Sequence, residues 1–266
     1  MSFTPSLAPK APSTTQLEPT SLIFYGAPKC GKSTILAHLA GCYTLVCDPN
    51  GMRYVSQPCA YDYINTWQDM DAAVTFLEAL PPVERPKYYG VDTADGLEAL
   101  AAEKGLATYL KRFPGQAKSV PDVLAFQDLP HGTAWGYIRS EFKRWTDRLG
   151  ALGTLVMTGH VRPKAIAKEI MEASATDLAL TGKLALAVAG SVDVIAFARR
   201  DDKDNVVLST KSVGKAAVNC GSRVPWLADR EWVISRSTKG GPVVDWSTIF
   251  PSLRSDKVAA VGTQPA

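Results

Sequence analysis

The residues best suited to chemistry close the first apolar run of the sequence. Gly26-Ala27-Pro28-Lys29-Cys30-Gly31-Lys32-Ser33-Thr34 reads G-x-x-x-x-G-K-[ST], the spacing of a phosphate-binding loop. Glycines at its turns let successive backbone N–H groups converge on an anion. Lys32 supplies a point charge for β- and γ-phosphates and is expected to face solvent, while the Ser33 hydroxyl is a ligand for Mg²⁺. ATP and Mg²⁺ are therefore the expected cofactors. Such a loop needs a strand before it and a helix after it. Leu22-Ile23-Phe24-Tyr25 is readable as that strand, and residues 33–40 hold no helix breaker.

Three further positions carry candidate chemistry. Tyr43-Thr44-Leu45-Val46-Cys47 is a β-rich run that ends in the turn signal Asp48-Pro49-Asn50-Gly51. Asp48 and Asn50 then lie at the carboxyl edge of a sheet, where α/β folds bind ligands; the competing reading of Asp48 is a turn initiator. Lys87-Tyr88-Tyr89-Gly90-Val91-Asp92-Thr93 is an apolar-aromatic strand delivering Asp92 at its end, a Walker-B-like carboxylate for Mg²⁺. A helix N-cap is the alternative role there, and Asp95 suits it better than Asp92. A third strand, residues 152–158, delivers Gly159-His160 at its tip, making His160 a candidate reader of the γ-phosphate or an ordinary structural histidine.

Around these strands the spacing predicts helices. Residues 69–80 place Met70, Ala73, Phe76, Leu77 and Leu80 at helical intervals, and residues 94–112 do the same with Leu97, Leu100, Ala101 and Ala107. Trp135, Ile138, Phe142, Trp145 and Leu149 mark another, with both tryptophans read as core. A helix over 180–189, a strand over 193–200, a turn at 201–205, a returning strand at 206–210 and a strand at 231–235 follow. Two connections are long for a compact domain. One, about 113–134, is flanked by Lys111 and Arg112 and contains Lys118. The other, 161–181, opens with Arg162, Lys164 and Lys168, and its Ala-rich middle can be helical.

Residues 1–20, rich in Pro, Ser and Thr, read as a disordered arm, 21–250 as one domain and 251–266 as a flexible tail. With 266 residues, 46% hydrophobic and 21% charged, the chain has the composition of a globular α/β domain. A net charge of +3 permits an acidic partner without announcing one. Five cysteines with no C-x-x-C pair suggest free thiols of a reducing compartment. No run matches a membrane span or a signal-peptide core, so a soluble, cytoplasmic protein is expected.

In this order the parts resemble the RecA-like recombinase core. The P-loop comes first, then Asp48-Pro49-Asn50, then Val91-Asp92-Thr93. Gly159-His160-Val161-Arg162-Pro163-Lys164 and Thr181-Gly182-Lys183-Leu184-Ala185-Leu186 follow, and Phe197-Ala198-Arg199-Arg200 comes last. More closely the chain looks like small phage-encoded RecA-like nucleotide-binding proteins that act as single-strand annealing recombinases. The resemblance covers roughly residues 20–235. It implies an α/β fold of the RecA-like P-loop NTPase kind, with a mostly parallel central sheet flanked by helices and a C-terminal antiparallel hairpin extension. It also implies that Lys32 and Ser33 serve phosphate and Mg²⁺, Asp92 serves as the Walker B carboxylate, and His160 relays the γ-phosphate to DNA-binding loops at 161–181 and about 113–134. Single-stranded DNA, a homo-oligomeric ring or filament, a single-stranded-DNA-binding protein and a bacterial host cytoplasm are the implied partners and place. One departure stands out. Where RecA has Asp-x-Glu, with the Glu orienting the attacking water, this chain has Asp48-Pro49-Asn50, so Asp48 takes that role or hydrolysis is slow. Arg199, Arg200 and Lys211 are within the reach expected of residues acting on a neighbouring subunit's nucleotide.

The rival readings are an NTPase of another DNA transaction, helicase-loader-like or packaging, and a nucleotide-binding switch that scarcely hydrolyses. A small-molecule kinase fits less well, since no lid with clustered arginines is evident.

Overall fold

Side chains alternate across β1 (Ser21–Gly26) and divide the interior into two cores. Ile23 and Tyr25 face one side of the sheet, Leu22 and Phe24 the other, and all four are fully buried. A strand covered on both faces carries a continuous apolar run, which is the pattern at 22–25. The computed structural model describes residues 18–113, 133–164, 175–181, 183–211 and 220–254.

The sheet is ordered β11-β10-β8-β7-β1-β5-β4-β2-β3. Its strands are β2 (Cys42–Val46), β3 (Ala60–Tyr63), β4 (Tyr88–Asp92), β5 (Thr154–Lys164), β7 (Val194–Arg200), β8 (Val206–Ser209), β10 (Glu231–Thr238) and β11 (Gly241–Val244). From β7 to β3 every neighbouring pair is parallel. From β7 outward through β8, β10 and β11 the pairs are antiparallel. The mostly parallel sheet with a C-terminal antiparallel extension is thus as expected. β6 (Ala175–Leu178) pairs with the outer part of β5, and β9 (Gly221–Ser222) with β7.

One face is covered by α1 (Lys32–Ala37) and a C-terminal 3-10 turn, Trp246–Thr248. The Trp246 indole N–H donates to the Ile35 carbonyl at 2.9 Å, a second bond to an oxygen that also takes the His38 N–H at 3.3 Å at the end of the short helix. The other face is covered by α2 (Trp67–Ala79), α3 (Ala94–Arg112), α4 (Thr133–Leu152) and α5 (Leu184–Ser191). Between α2, α3 and α4 lies a charged cluster. The Lys104 ammonium, 6% exposed as a residue, donates to Asp71 at 2.6 and 2.7 Å and lies 3.3 Å from Glu141. The Trp145 indole N–H also donates to Asp71, at 2.8 Å, so this core tryptophan has its polar atom satisfied.

Several expectations shift. α2 starts from a capping box of Thr66 and Asp69, and its buried stripe is Met70, Val74 and Leu77. Phe76 is 60% exposed because it sits about 200° around the helix from Val74. Thr93, not Asp95, caps α3, accepting the Gly96 N–H at 3.2 Å. Ala107 is exposed, and the buried stripe runs through Lys104 instead. β5 does not end at Gly159-His160 but continues to Lys164, bonded to β6. β3, exposed along its length, carries no apolar pattern to reveal it. At the ends, Glu18 accepts from Ser252 and Asp193 accepts from Thr20. The arm over 1–17, most of the tail from 255, and the middle of each long connection lie outside the described residues.

Candidate functional site

Parallel pairing of β1 with β5 sets His160 beside Gly26, where the P-loop begins, and pairing with β7 sets Ala198 on the other side. A Cβ at Gly26 would fall 2.2 Å from the Ala198 carbonyl oxygen, so only glycine fits. The loop then turns through left-handed backbone at Lys29 and Gly31, with φ of 65° and 102°. Lys32 follows, and it is not solvent-facing. It is 5% exposed, and its ammonium donates to the Gly26 and Ala27 carbonyls at 3.0 and 2.9 Å. The charge is folded into the ring of the loop, with Ser33 and Thr34 half-buried after it.

Asp92, at the end of β4, is fully buried. Its Oδ1 accepts the Thr158 hydroxyl from β5, and its Oδ2 is buried with no hydrogen-bond partner among the described residues. Burial pushes this carboxyl above the usual range, as does the Asp48 charge, against the pull of the Thr158 and Ser33 hydroxyls and the Lys32 ammonium. A buried carboxylate oxygen left open beside a lysine and a serine hydroxyl suits a bound cation. Among the described residues no three His, Cys, Asp or Glu side chains gather as a metal site. The remaining ligands would be phosphate and water oxygens, as Mg²⁺ prefers.

Asp48 is a turn initiator: its Oδ1 accepts the Asn50 N–H at 2.9 Å. Backbone bonds from Cys47 and Asp48 to the Asp92 carbonyl, at 2.7 and 3.1 Å, tie this turn to the end of β4. The Asp48 carboxylate also raises the pKa of both Asp92 and His160, placing it among the site charges. Asn50 is exposed. His160 has a partner that the sequence did not announce. Its Nδ1 lies 2.8 Å from Asp95 Oδ2, and its backbone N–H donates to Asp95 Oδ1 at 3.1 Å. The bond to Asp95 raises the imidazole above its usual value, against burial and Lys32. Burial pushes the Asp95 carboxyl up, but the His160 bonds outweigh it and the net shift is downward.

The candidate DNA contacts are spread out. Arg162 lies on β5 opposite Asp177 of β6 and acts electrostatically on Glu98, and Lys164 ends β5. Lys111 and Arg112 are exposed in the last turn of α3, about 24 Å along the helix from Asp95 at 1.5 Å per residue. Lys118 and Lys168 lie outside the described residues. Arg199 pairs with Glu231 at 2.7 Å, and Lys211 approaches the same carboxylate at 3.9 Å. Arg200 pairs with Asp204 at 2.7 Å and lies against Gly31 of its own P-loop.

A cavity of about 330 Å³ adjoins the loop, lined by Gly31, Thr34, Tyr54, Arg200, Val206 and Ser235 among others. Its volume suits a small ligand group. Tyr54 was not foreseen there; an exposed aromatic soon after the Asp48 turn was the available signal. A larger groove of about 740 Å³ lies between α4 and α5 on the other face of the sheet and contains none of these residues. A family model described as an AAA domain matches residues 18–233. No curated protein matches the chain.

Proposed function

The chain belongs to the AAA-domain family, and from that premise we propose that it is a P-loop ATPase that binds Mg-ATP and single-stranded DNA in recombination or strand annealing. One observation carries the nucleotide half. The buried Lys32 ammonium, the Ser33 hydroxyl and the unpartnered Asp92 Oδ2 belong to one site beside the left-handed turns of the loop.

Residues 26–34 would hold the phosphates through backbone N–H groups, and Lys32 would exchange two carbonyls for phosphate oxygens. Ser33 and Asp92 would hold Mg²⁺. The cavity beside Gly31 would take base and ribose against Tyr54. When bound, Mg-ATP supplies the phosphoanhydride bond that hydrolysis cleaves. Asp95 accepts from Nδ1 of His160 and fixes the ring, so Nε2 donates to a terminal phosphate when the imidazole is protonated, the form that Asp95 favours.

The DNA half rests on the resemblance to phage annealing recombinases and on Arg162 and Lys164, which follow His160 on the same strand. Contacts of this kind are electrostatic, sequence-tolerant and salt-sensitive. A homo-oligomer, a single-stranded-DNA-binding protein as partner and a bacterial cytoplasm belong to the same reading. A second reading, a nucleotide switch with little turnover, is favoured by Asn50, an amide where a general base would stand. ATP turnover with and without single-stranded DNA separates the two. Stimulation by DNA supports the recombinase, and binding with turnover indifferent to DNA supports the switch.

A further inference from the structure

Helix α3 begins directly after the buried carboxylate of Asp92 and its cap Thr93. Asp95 and Glu98 lie three residues apart and so share a helix face. Asp95 takes the backbone N–H and the ring of His160. Glu98, 7% exposed, takes the Thr181 N–H on both oxygens, at 3.0 and 3.1 Å, and the Thr181 hydroxyl as well.

His160 and Thr181 stand at the two ends of one arm. Between them the outer part of β5 pairs with β6, Val161 opposite Leu178 and Arg162 opposite Asp177, and the Ala179 N–H donates to the His160 carbonyl at 2.9 Å. Successive turns of a single helix therefore grip both roots of the arm. A buried carboxylate is a costly way to fill a position whose neighbours are Leu97, Leu100 and Ala101. Packing alone would be met by an apolar side chain. Burial raises the Glu98 carboxyl, as does the Asp95 charge on the same helix, and the groups that oppose the rise, Thr181 and Arg162, belong to the arm.

We propose that Asp95 and Glu98 are positioning residues that couple occupancy of the Asp92 site to the placement of the arm formed by β5 and β6. The inference rests on the nucleotide reading of that site. A terminal phosphate or cation engaging His160 and Asp92 biases one root of the arm and the start of α3 together. Glu98 makes the other root follow. Coupling of this kind is reciprocal, so whatever the arm binds also changes nucleotide affinity.

The test is hydrogen–deuterium exchange of the full chain in Mg-ATP and in Mg-ADP, read in peptides spanning 175–181, with nucleotide affinity measured by calorimetry. The expected wild-type result is exchange at least about fivefold slower in Mg-ATP, the lower end of ordinary allosteric factors. Glu98→Gln and Thr181→Val should bind nucleotide within about threefold of wild type and lose that difference, while Thr181→Ser, which keeps the hydroxyl, should retain it. Variants that keep the full difference overturn the proposal. Wild-type binding without an exchange difference overturns the coupling and leaves the nucleotide site standing. Absence of nucleotide binding overturns both.

Discussion

His160 Nδ1 lies 2.8 Å from Asp95 Oδ2, and the same carboxylate takes the His160 backbone N–H. The pair joins β5 to the first turn of α3 at the position where β5 is paired with Gly26, the last residue of β1.

A pH dependence follows. The His160 pKa is raised above its ordinary 6.5, so its contribution to stability is full below that value and is lost as pH rises through the raised one. The Asp95 pKa is lowered from 3.8, so its contribution is present above that value and is lost as pH falls through the lowered one. The pair is complete between about 3.8 and 6.5. Asp95→Asn should move the His160 titration toward lower pH, followed by nuclear magnetic resonance of the imidazole. A titration that stays in place would show that Asp95 does not hold the ring.

Lys32→Ala should abolish nucleotide binding while circular dichroism stays that of a folded chain. Since Lys32 also satisfies two loop carbonyls, the variant should lose about 1–3 kcal/mol in denaturant unfolding. Undiminished binding by the folded variant would remove the loop from the account.

At Asn50 the expectation concerns rate. Asn50→Glu should raise ATP turnover several-fold, short of the roughly 10²–10⁴ that a fully placed general base contributes. A variant that binds ATP with an unchanged rate would shift the role to Asp48, whose carboxylate already bears on Asp92 and His160.

The Lys104 cluster yields a stability prediction away from the site. Lys104→Ala leaves Asp71 and Glu141 without their shared cation, although Arg144 lies 3.6 Å from each. Removing one partner of a buried pair costs about 3–5 kcal/mol. Urea unfolding should show that loss, and a change under about 1 kcal/mol would assign the cluster to the solvated surface.

Much of this was legible in the residues. The apolar run at 22–25, the breaker-free stretch after it and the glycine spacing specify strand, loop and helix, and Asp92 ends its strand as read. What escaped was pairing across the chain. Nothing local in Thr158 marks it as the donor to Asp92, sixty-six residues away. Asp95 has the composition of a cap, yet the preceding Thr93 provides the hydroxyl that reaches Gly96. Glu98 was the readable exception, an acid within an apolar stripe, but its partner Thr181 lies eighty-three residues further on. β3 has no alternation because its four residues are all exposed at the sheet edge.

The most direct measurement is fluorescence anisotropy of a labelled oligonucleotide titrated with the full chain in Mg-ATP and in Mg-ADP over a range of salt. The account predicts binding at least about fivefold tighter in Mg-ATP. It also predicts a salt slope that Arg162→Ala with Lys164→Ala flattens by up to roughly 1.4, at about 0.7 per phosphate contact. Equal affinity in the two nucleotides, or no binding in either, would contradict it.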